Sequence, residues 1–547
     1  MNARCYILAM RSVLRQQPAV LVSLLFCAVI FTMYSTVVRQ TGGMFVYPLD
    51  DSYIHLALAR TLVLHHNWGM NPTEFASASS SPGWTVLLAA TEAVAGLHLL
   101  SGLILNVICA LVLLFAADHS LKRFVPSVTL GFRYVALIAI LFCTPLTSLT
   151  MIGMEHVAQA LSTLLFIIVA AQVLALPLEA TPPRATVAWL LLIALFAGAI
   201  RYEAVFVVIP VCICLALRRR LGIAVMVALG SAVAPVVFGF YFHHESGFWL
   251  PFSVMAKASG QPPLSTKYFL DQTHGFRSLL PLVVLVWLFR FRKLGFWNSS
   301  QLLLFFAGSV TLLHLAVAPV GWLMRYESYL VCLCLFALCV AVADLPSPEV
   351  VLRDIRQSSL RRKYATALLV LLVLGLGFDL TRRAIRGMVE PVQASEDRFL
   401  EHIQMAKIVS GAYDHDTIVV NDIGTIAYYS DAPLLDVIGL GSVEPIRDRL
   451  ERHSFTAADV AAWASSRHAS IAILQTQWQR VSSVIPPTWT KIQTWTLPRN
   501  VVFKDFEISF FAVEPKEIPR LCAVLAKFPA PKQDKITFRS PACPVIP

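Results

Sequence analysis

Apolar windows long enough to cross a bilayer recur along this chain, and they constrain its fold more than any other feature. A helix needs about 20 mostly apolar residues to span the hydrocarbon core. Such windows fall at 19–38, 97–117, 134–151, 156–176, 221–241, 300–320 and 326–344. Shorter ones at 187–200, 203–217, 277–290 and 366–380 become spans if helices tilt or break. Together they predict an α-helical polytopic membrane bundle of about eleven transmembrane helices. Composition agrees, with 57% hydrophobic and 14% charged residues against roughly 45–50% and 25% in soluble chains. Disordered scaffolds and fibrous repeats are excluded, because no long charged or polar tract occurs.

Two apolar stretches need separate decisions. Arg4, Arg11 and Arg15 precede the window at 19–38, but its length and the lack of a small-residue cleavage site make it a first span rather than a secretory signal. The run 83–96 is only 14 residues long and carries Glu92, so a helix lying at the interface is expected. Charge supports both decisions. With a cytoplasmic N-terminus, the inner loops collect clusters such as Arg218-Arg219-Arg220 and Arg361-Arg362-Lys363, while Arg39, Arg60, Arg201, Lys257, Lys267, Arg277 and Arg325 lie outside. That asymmetry follows the positive-inside rule. The net charge of +11 therefore sits between spans, and no nucleic-acid partner is expected.

After residue 380 charges spread throughout, and strand-like runs at 417–421 and 471–474 are broken by Gly, Pro and Asp. The expected organisation is a transmembrane domain at 1–380, with an extracytoplasmic loop at 39–96, followed by a soluble extracytoplasmic α/β domain at 381–547. Cys522 and Cys543 are the cysteines of that second domain, and the compartment permits them to form a disulfide.

The loop at 39–96 carries the most chemistry. Asp50 and Asp51 open a segment whose Tyr53, Ile54, Leu56, Leu58 and Leu62 suit a helix lying on the membrane surface. Two adjacent carboxylates raise one pKa and offer a general base; the alternative is an N-cap. Glu155 opens the fourth span at the same side, either as a functional carboxylate or as a first-turn residue favoured by the helix dipole. Arg201 with Tyr202 and Glu203 interrupts two short apolar runs, as a broken helix lining a cavity would. Arg201, Lys257 and Arg325 suit a phosphate, or they snorkel to lipid headgroups. His55 is one helical turn after Asp51, but no third ligand at fixed spacing follows, so no metal is expected. P-loop, GxGxxG, nucleophile-elbow and HExxH patterns are missing from the sequence.

The order of these pieces resembles the GT-C class of integral-membrane glycosyltransferases, in particular the bacterial branch containing the mycobacterial terminal arabinofuranosyltransferases. The similarity is densest in the first loop, in Asp50-Asp51-Ser52-Tyr53-Ile54, Asn71-Pro72-Thr73-Glu74 and Ser80-Ser81-Pro82-Gly83-Trp84. It continues in Gly153-Met154-Glu155, Arg201-Tyr202-Glu203, Arg325-Tyr326, Asn421-Asp422-Ile423-Gly424, Asp436 and Gly439-Leu440. Ala57 stands where the branch often has Arg, Gly83 where it has Leu, and no Pro follows Arg201.

The resemblance implies a multi-pass protein of the bacterial inner membrane. It implies an inverting transfer of a hexosyl or pentosyl group from a polyprenyl-phosphate sugar to a hydroxyl of a glycan, lipid or protein acceptor at the outer face. In that scheme Asp50, Asp51 and Glu155 are catalytic, with a loop Asp as base, and Arg201, Lys257 and Arg325 bind the donor phosphate. Tyr53, His55 and Trp84 contact acceptor or donor. No cofactor is needed beyond the lipid-linked co-substrate. A non-catalytic translocator of lipids or lipid-linked sugars is the rival, but it would spread polar residues along the spans, whereas here they gather at one face.

Overall fold

The computed structural model describes residues 17–96, 98–258, 278–345, 360–497, 501–502, 506–528, 536–539 and 543. Its first part is helical: α1 (Pro18–Gln40), α2 (Asp50–His65), α3 (Pro82–Ala95), α4 (Ser101–Phe124), α5 (Leu130–Cys143), α6 (Leu146–Ile152), α7 (His156–Ala175), α8 (Arg184–Ile200), α9 (Ala204–Leu217), α10 (Leu221–Ser246), α11 (Phe252–Ala258), α12 (Leu279–Leu294), α13 (Ser299–Val317), α14 (Ser328–Ala343) and α15 (Leu360–Leu400). Among the described residues, α1, α4, α7, α10 and α13 are long and apolar enough to cross a membrane, and the bent pair α5–α6 makes a sixth candidate. The other expected windows fall on the shorter apolar α8, α9, α12 and α14 and inside α15.

Two expectations change. The window at 134–151 is not one straight helix: α5 and α6 meet at a bend of 40°. Pro145 lies at the break, where it lacks an N–H for the ladder and restricts the residue before it. The loop helix α2 is not exposed but covered by the rest of the protein. Ten of its 16 residues are buried, from Asp50 through Thr61, because its apolar side chains occupy more than one face. The stretch at 83–96 does form a helix of its own, α3, of 14 residues.

α7 and α14 are buried on nearly every face and form the centre of the bundle. α10 buries only Ala224, Val227, Gly239 and Phe242, so its other faces suit lipid. α15 has 41 residues, about 60 Å of helix, and runs unbroken across residue 380.

The second part contains α16 (His402–Ala412), β1 (Thr417–Val420), α17 (Gly424–Tyr429), β2 (Leu434–Asp436), α18 (Val443–Glu451), α19 (Ala457–Ser466), β3 (Ala469–Gln475), α20 (Gln479–Ser482), β4 (Thr490–Thr496), β5 (Glu507–Ala512), α21 (Ile518–Lys527) and β6 (Thr537–Arg539). The sheet order is β2-β1-β3-β5-β4-β6. β2, β1 and β3 are parallel, with Val420 opposite both Asp436 and Ile473, and the remaining pairings are antiparallel. Every residue of β3 is buried, as expected for a strand covered on both faces. Cys522 and Cys543 form the disulfide, tying α21 to the chain's last segment.

The sheet domain is fixed to the first loop through α17. Asp50 accepts hydrogen bonds from the backbone N–H of Gly424 and Thr425 at its N-terminal end. Arg60 reaches the carbonyls of Ala427, Tyr428 and Ser430 and pairs with Asp431 at its C-terminal end. A carboxylate at the first end and a guanidinium at the second both match the helix dipole. Further along the loop, Asn71 Oδ1 accepts from the N–H groups of Thr73 and Glu74, which orders the turn and aims Glu74 at Arg467, 3.0 Å away.

Candidate active site

Asp50 and Asp51 are neighbours in the first turn of α2, so their side chains diverge by about 100° around the helix. The two carboxylates therefore do different things. Asp50 is buried and accepts three hydrogen bonds, from Gly424 N at 2.6 Å, Thr425 N at 2.8 Å and Thr425 Oγ1 at 2.6 Å. Asp51 stays 29% exposed and meets Arg325 Nη2 at 2.5 Å.

Arg325 is delivered by an unusual turn. Trp322, Leu323 and Met324 all have positive φ, at 52°, 57° and 60°, a conformation that costs L-residues about 1–2 kcal/mol each. Glu327 and Arg383 hold it. Glu327 accepts from Gly321 N at 2.7 Å and pairs with Arg383 Nη1 at 2.5 Å. Arg383 also donates to the carbonyls of Met324 and Cys143. Strained backbone persists only where surroundings over-determine it, and here the result is a guanidinium only 2% exposed. It also donates to Tyr326 Oη at 2.8 Å and touches Met154 Sδ.

Glu155, fully buried as the N-cap residue of α7, accepts from Arg201 Nη1 at 2.7 Å and lies 3.5 Å from His55 Nε2. Burial alone would raise its pKa, but His156, Arg201 and His55 together bring it down to about 2. Glu155 is thus an ionised anchor at neutral pH rather than a proton donor. Arg201 ends α8 in extended conformation and its other edge is bound by Glu203, with Nε to Oε2 at 2.9 Å. His55 Nδ1 is 3.1 Å from the hydroxyls of both Ser79 and Thr85.

Of these groups, Asp51 and His55 border one small cleft. It is lined by Asp51 and His55 of α2, Ser80 of the following segment, Met154, Ser253 of α11 and Leu440 of the sheet domain. Lys257 follows Ser253 by one turn of α11; its side chain lies outside the described residues. Tyr53 and Trp84 are fully buried and do not line the cleft. Tyr53 is ringed by Tyr47, Tyr428 and Tyr429, where it packs the loop against α17. Sequence reasoning missed the supports of Arg325: Glu327 precedes the apolar helix α14 and Arg383 follows the apolar run of α15, and nothing local distinguishes them from interfacial charges. Among the described residues no three His, Cys, Asp or Glu side chains converge as metal ligands.

Residues 391–511 match the family described as Domain of unknown function (DUF8728). No curated protein matches the chain in sequence. Its fold resembles that of ArnT from Cupriavidus metallidurans bound to undecaprenyl phosphate, at 12% identity and a TM-score of 0.52, over 90% of this chain and 98% of that one. It also resembles the oligosaccharyltransferase AglB from Archaeoglobus fulgidus, in complex with an inhibitory peptide and a dolichol-phosphate, at 10% identity and a TM-score of 0.50, over 90% and 75%. The likeness establishes a common fold, a helical membrane bundle with an appended domain.

Proposed function

We propose that this chain is a glycosyltransferase that moves a sugar from a polyprenyl-phosphate donor to an acceptor hydroxyl at the outer face of the membrane. The observation that carries the reading is the Asp51–Arg325 pair, whose Asp51 lines a cleft shared by the first loop, the bundle and the sheet domain. ArnT and AglB, which share the fold, were solved with undecaprenyl phosphate and dolichol-phosphate respectively. The motifs of the first loop favour the bacterial branch that contains the mycobacterial terminal arabinofuranosyltransferases.

The proposed step is a single displacement with inversion. Asp51 takes the proton of the acceptor hydroxyl as that oxygen bonds to the anomeric carbon. The bond from the anomeric carbon to the phosphate oxygen breaks on the opposite face, and polyprenyl phosphate leaves with the electron pair. Asp51 suits the base because it is the partly exposed carboxylate, whereas Asp50 is consumed by α17. Arg325 orients Asp51, and with Lys257 it supplies positive charge for the leaving phosphate. Arg201, bound to Glu155 and Glu203, shapes the cleft wall through Ser80 and acts on the phosphate at longer range.

Mass spectrometry of lipid co-purifying with the membrane-extracted protein tests the reading. A polyprenyl-phosphate sugar is expected, consumed when acceptor is added. A phospholipid alone, with no turnover of added polyprenyl-phosphate sugars, would favour a translocator.

A further inference from the structure

The sheet domain brings a second polar network to its edge beside the cleft, where Leu440 is part of the lining. Ligands of open α/β sheets bind outside the carboxyl ends of parallel strands. Those ends here carry Asn421 and Asp422 after β1, Asp436 closing β2 and Gln475 closing β3. This edge faces α2. Gly424, two residues after Asp422, donates to Asp50 at 2.6 Å, and Leu440, just beyond β2, lines the cleft beside Asp51. Asp436 shapes that wall by accepting the N–H groups of Ile438, Leu440 and Gly441.

Asp422 is the exposed tip of the network, with 28% of its side chain open. His402 Nε2 donates to its Oδ2 at 2.7 Å, and Arg398 Nη1 stands 3.6 Å away. Gln475 lies behind, donating to Glu401 at 2.9 Å and reaching Asp422 at 3.5 Å. Asn421 fixes Gln475 through both backbone and side chain. Glu401 and His402 are wholly buried, and Glu401 Oε2 has no hydrogen-bond partner among the described residues. Burial would raise the Asp422 carboxyl, but His402 and Arg398 hold it below its ordinary range. So many buried polar groups are costly unless fully satisfied, and packing of an apolar sheet does not require them. What they achieve is one rigid, partly exposed carboxylate on the sheet edge that faces α2, near enough to Asp51 for the two charges to interact.

We infer that Asp422, held in place by His402 and Gln475, is the subsite for the acceptor's hydroxyl groups, and that the acceptor is a glycan. This rests on the transferase reading. The two oxygens of a fixed carboxylate accept hydrogen bonds from two adjacent hydroxyls of one sugar ring.

The test uses the full chain in lipid nanodiscs and two probes, undecaprenyl phosphate and a panel of fluorescent neutral oligosaccharides of arabinose, mannose, glucose and galactose. The wild type is expected to bind at least one oligosaccharide. Asp422→Asn and His402→Gln should weaken it at least tenfold, with undecaprenyl phosphate affinity held within about twofold and Asp422→Glu recovering part of the loss. Failure of the wild type to bind any panel member overturns the inference, as does an Asp422→Asn variant that keeps its oligosaccharide affinity or loses both probes together. Oligosaccharide binding that depends on Asp422 without any undecaprenyl phosphate binding supports the subsite and instead counts against the transferase reading.

Discussion

Gly424 and Asp50 approach so closely that a side chain at position 424 has no room. A Cβ there would lie 2.3 Å from the Asp50 carbonyl oxygen and 2.9 Å from its Oδ2. The contact joins the first turn of α2 to the first turn of α17, and so joins the sheet domain to the loop that carries Asp51. Gly424→Ala should push the two apart, at a cost of about 1–3 kcal/mol for the overpacking. Faster limited proteolysis between α16 and α17 and a lower Tm would register it. An unchanged cleavage pattern and Tm would mean that the junction is not built this way.

The adjacent carboxylates should separate by transfer activity on mutation. Asp51→Asn is expected to lower transfer by about 10²–10⁴-fold, the usual worth of a positioned base, and also to lower Tm, because the buried Arg325 guanidinium loses its carboxylate partner. Asp50→Asn should behave as a stability variant, because it weakens three hydrogen bonds to α17 worth about 1.5–3 kcal/mol for a charged acceptor. Wild-type turnover by Asp51→Asn would remove it from the mechanism.

Arg383 and Glu327 are both nearly inaccessible, so removing one partner leaves a buried charge. Arg383→Met should cost about 3–5 kcal/mol, and the double variant Arg383→Met, Glu327→Leu should recover much of that. Transfer should not recover, since neither side chain then restrains the left-handed turn that delivers Arg325. Thermal unfolding and turnover of the three proteins decide it; a double variant with full activity would show that the turn holds itself.

Spans and strands were legible because they rest on local periodicity. The windows at 156–176 and 300–320 meet α7 and α13, and the runs at 417–421 and 471–474 meet β1 and β3. That 83–96 forms a separate short helix, α3, was legible from its length. The bend at Pro145 and the burial of α2 were not, since both depend on what packs alongside. At the site, the residue types were visible but their partners were not. Asp50 and Asp51 look equivalent until α17, some 370 positions later, claims one of them. Arg201 reads as a free cation until Glu155 and Glu203 are found on either side of it. Glu327 with Arg383 and His402 with Asp422 are long-range pairs whose members carry no local signature.

Transfer should not require a divalent ion. A monophosphate leaving group presents one phosphate to neutralise, a task that Arg and Lys side chains can perform. Arg325, paired with Asp51, and Lys257 on α11 are assigned to it. EDTA is expected to leave turnover within about twofold. If EDTA abolishes transfer and Mn²⁺ or Mg²⁺ restores it, Asp51 and His55, one helical turn apart, become the ligands to test.

Glu155 and Glu401 should tilt the stability profile in opposite directions. Glu155 has a folded pKa of about 2 against an ordinary 4.5; a depressed carboxylate stabilises the fold above its unfolded value, and this contribution is lost as pH falls from about 4.5 towards 2. Glu401, pushed up by burial to about 7, works the other way. Its contribution is fully present below about pH 4.5 and is lost as pH rises through 7. Thermal unfolding of the detergent-solubilised protein across pH 2–8 should therefore show Glu155→Gln flattening the acid side and Glu401→Gln flattening the side between about 4.5 and 7. The second effect gives Glu401→Gln a higher Tm than wild type at pH 8, because the amide keeps the Gln475 contact without a buried charge. An acid limb unchanged in Glu155→Gln would mean that Arg201 and the two histidines do not hold that carboxylate ionised.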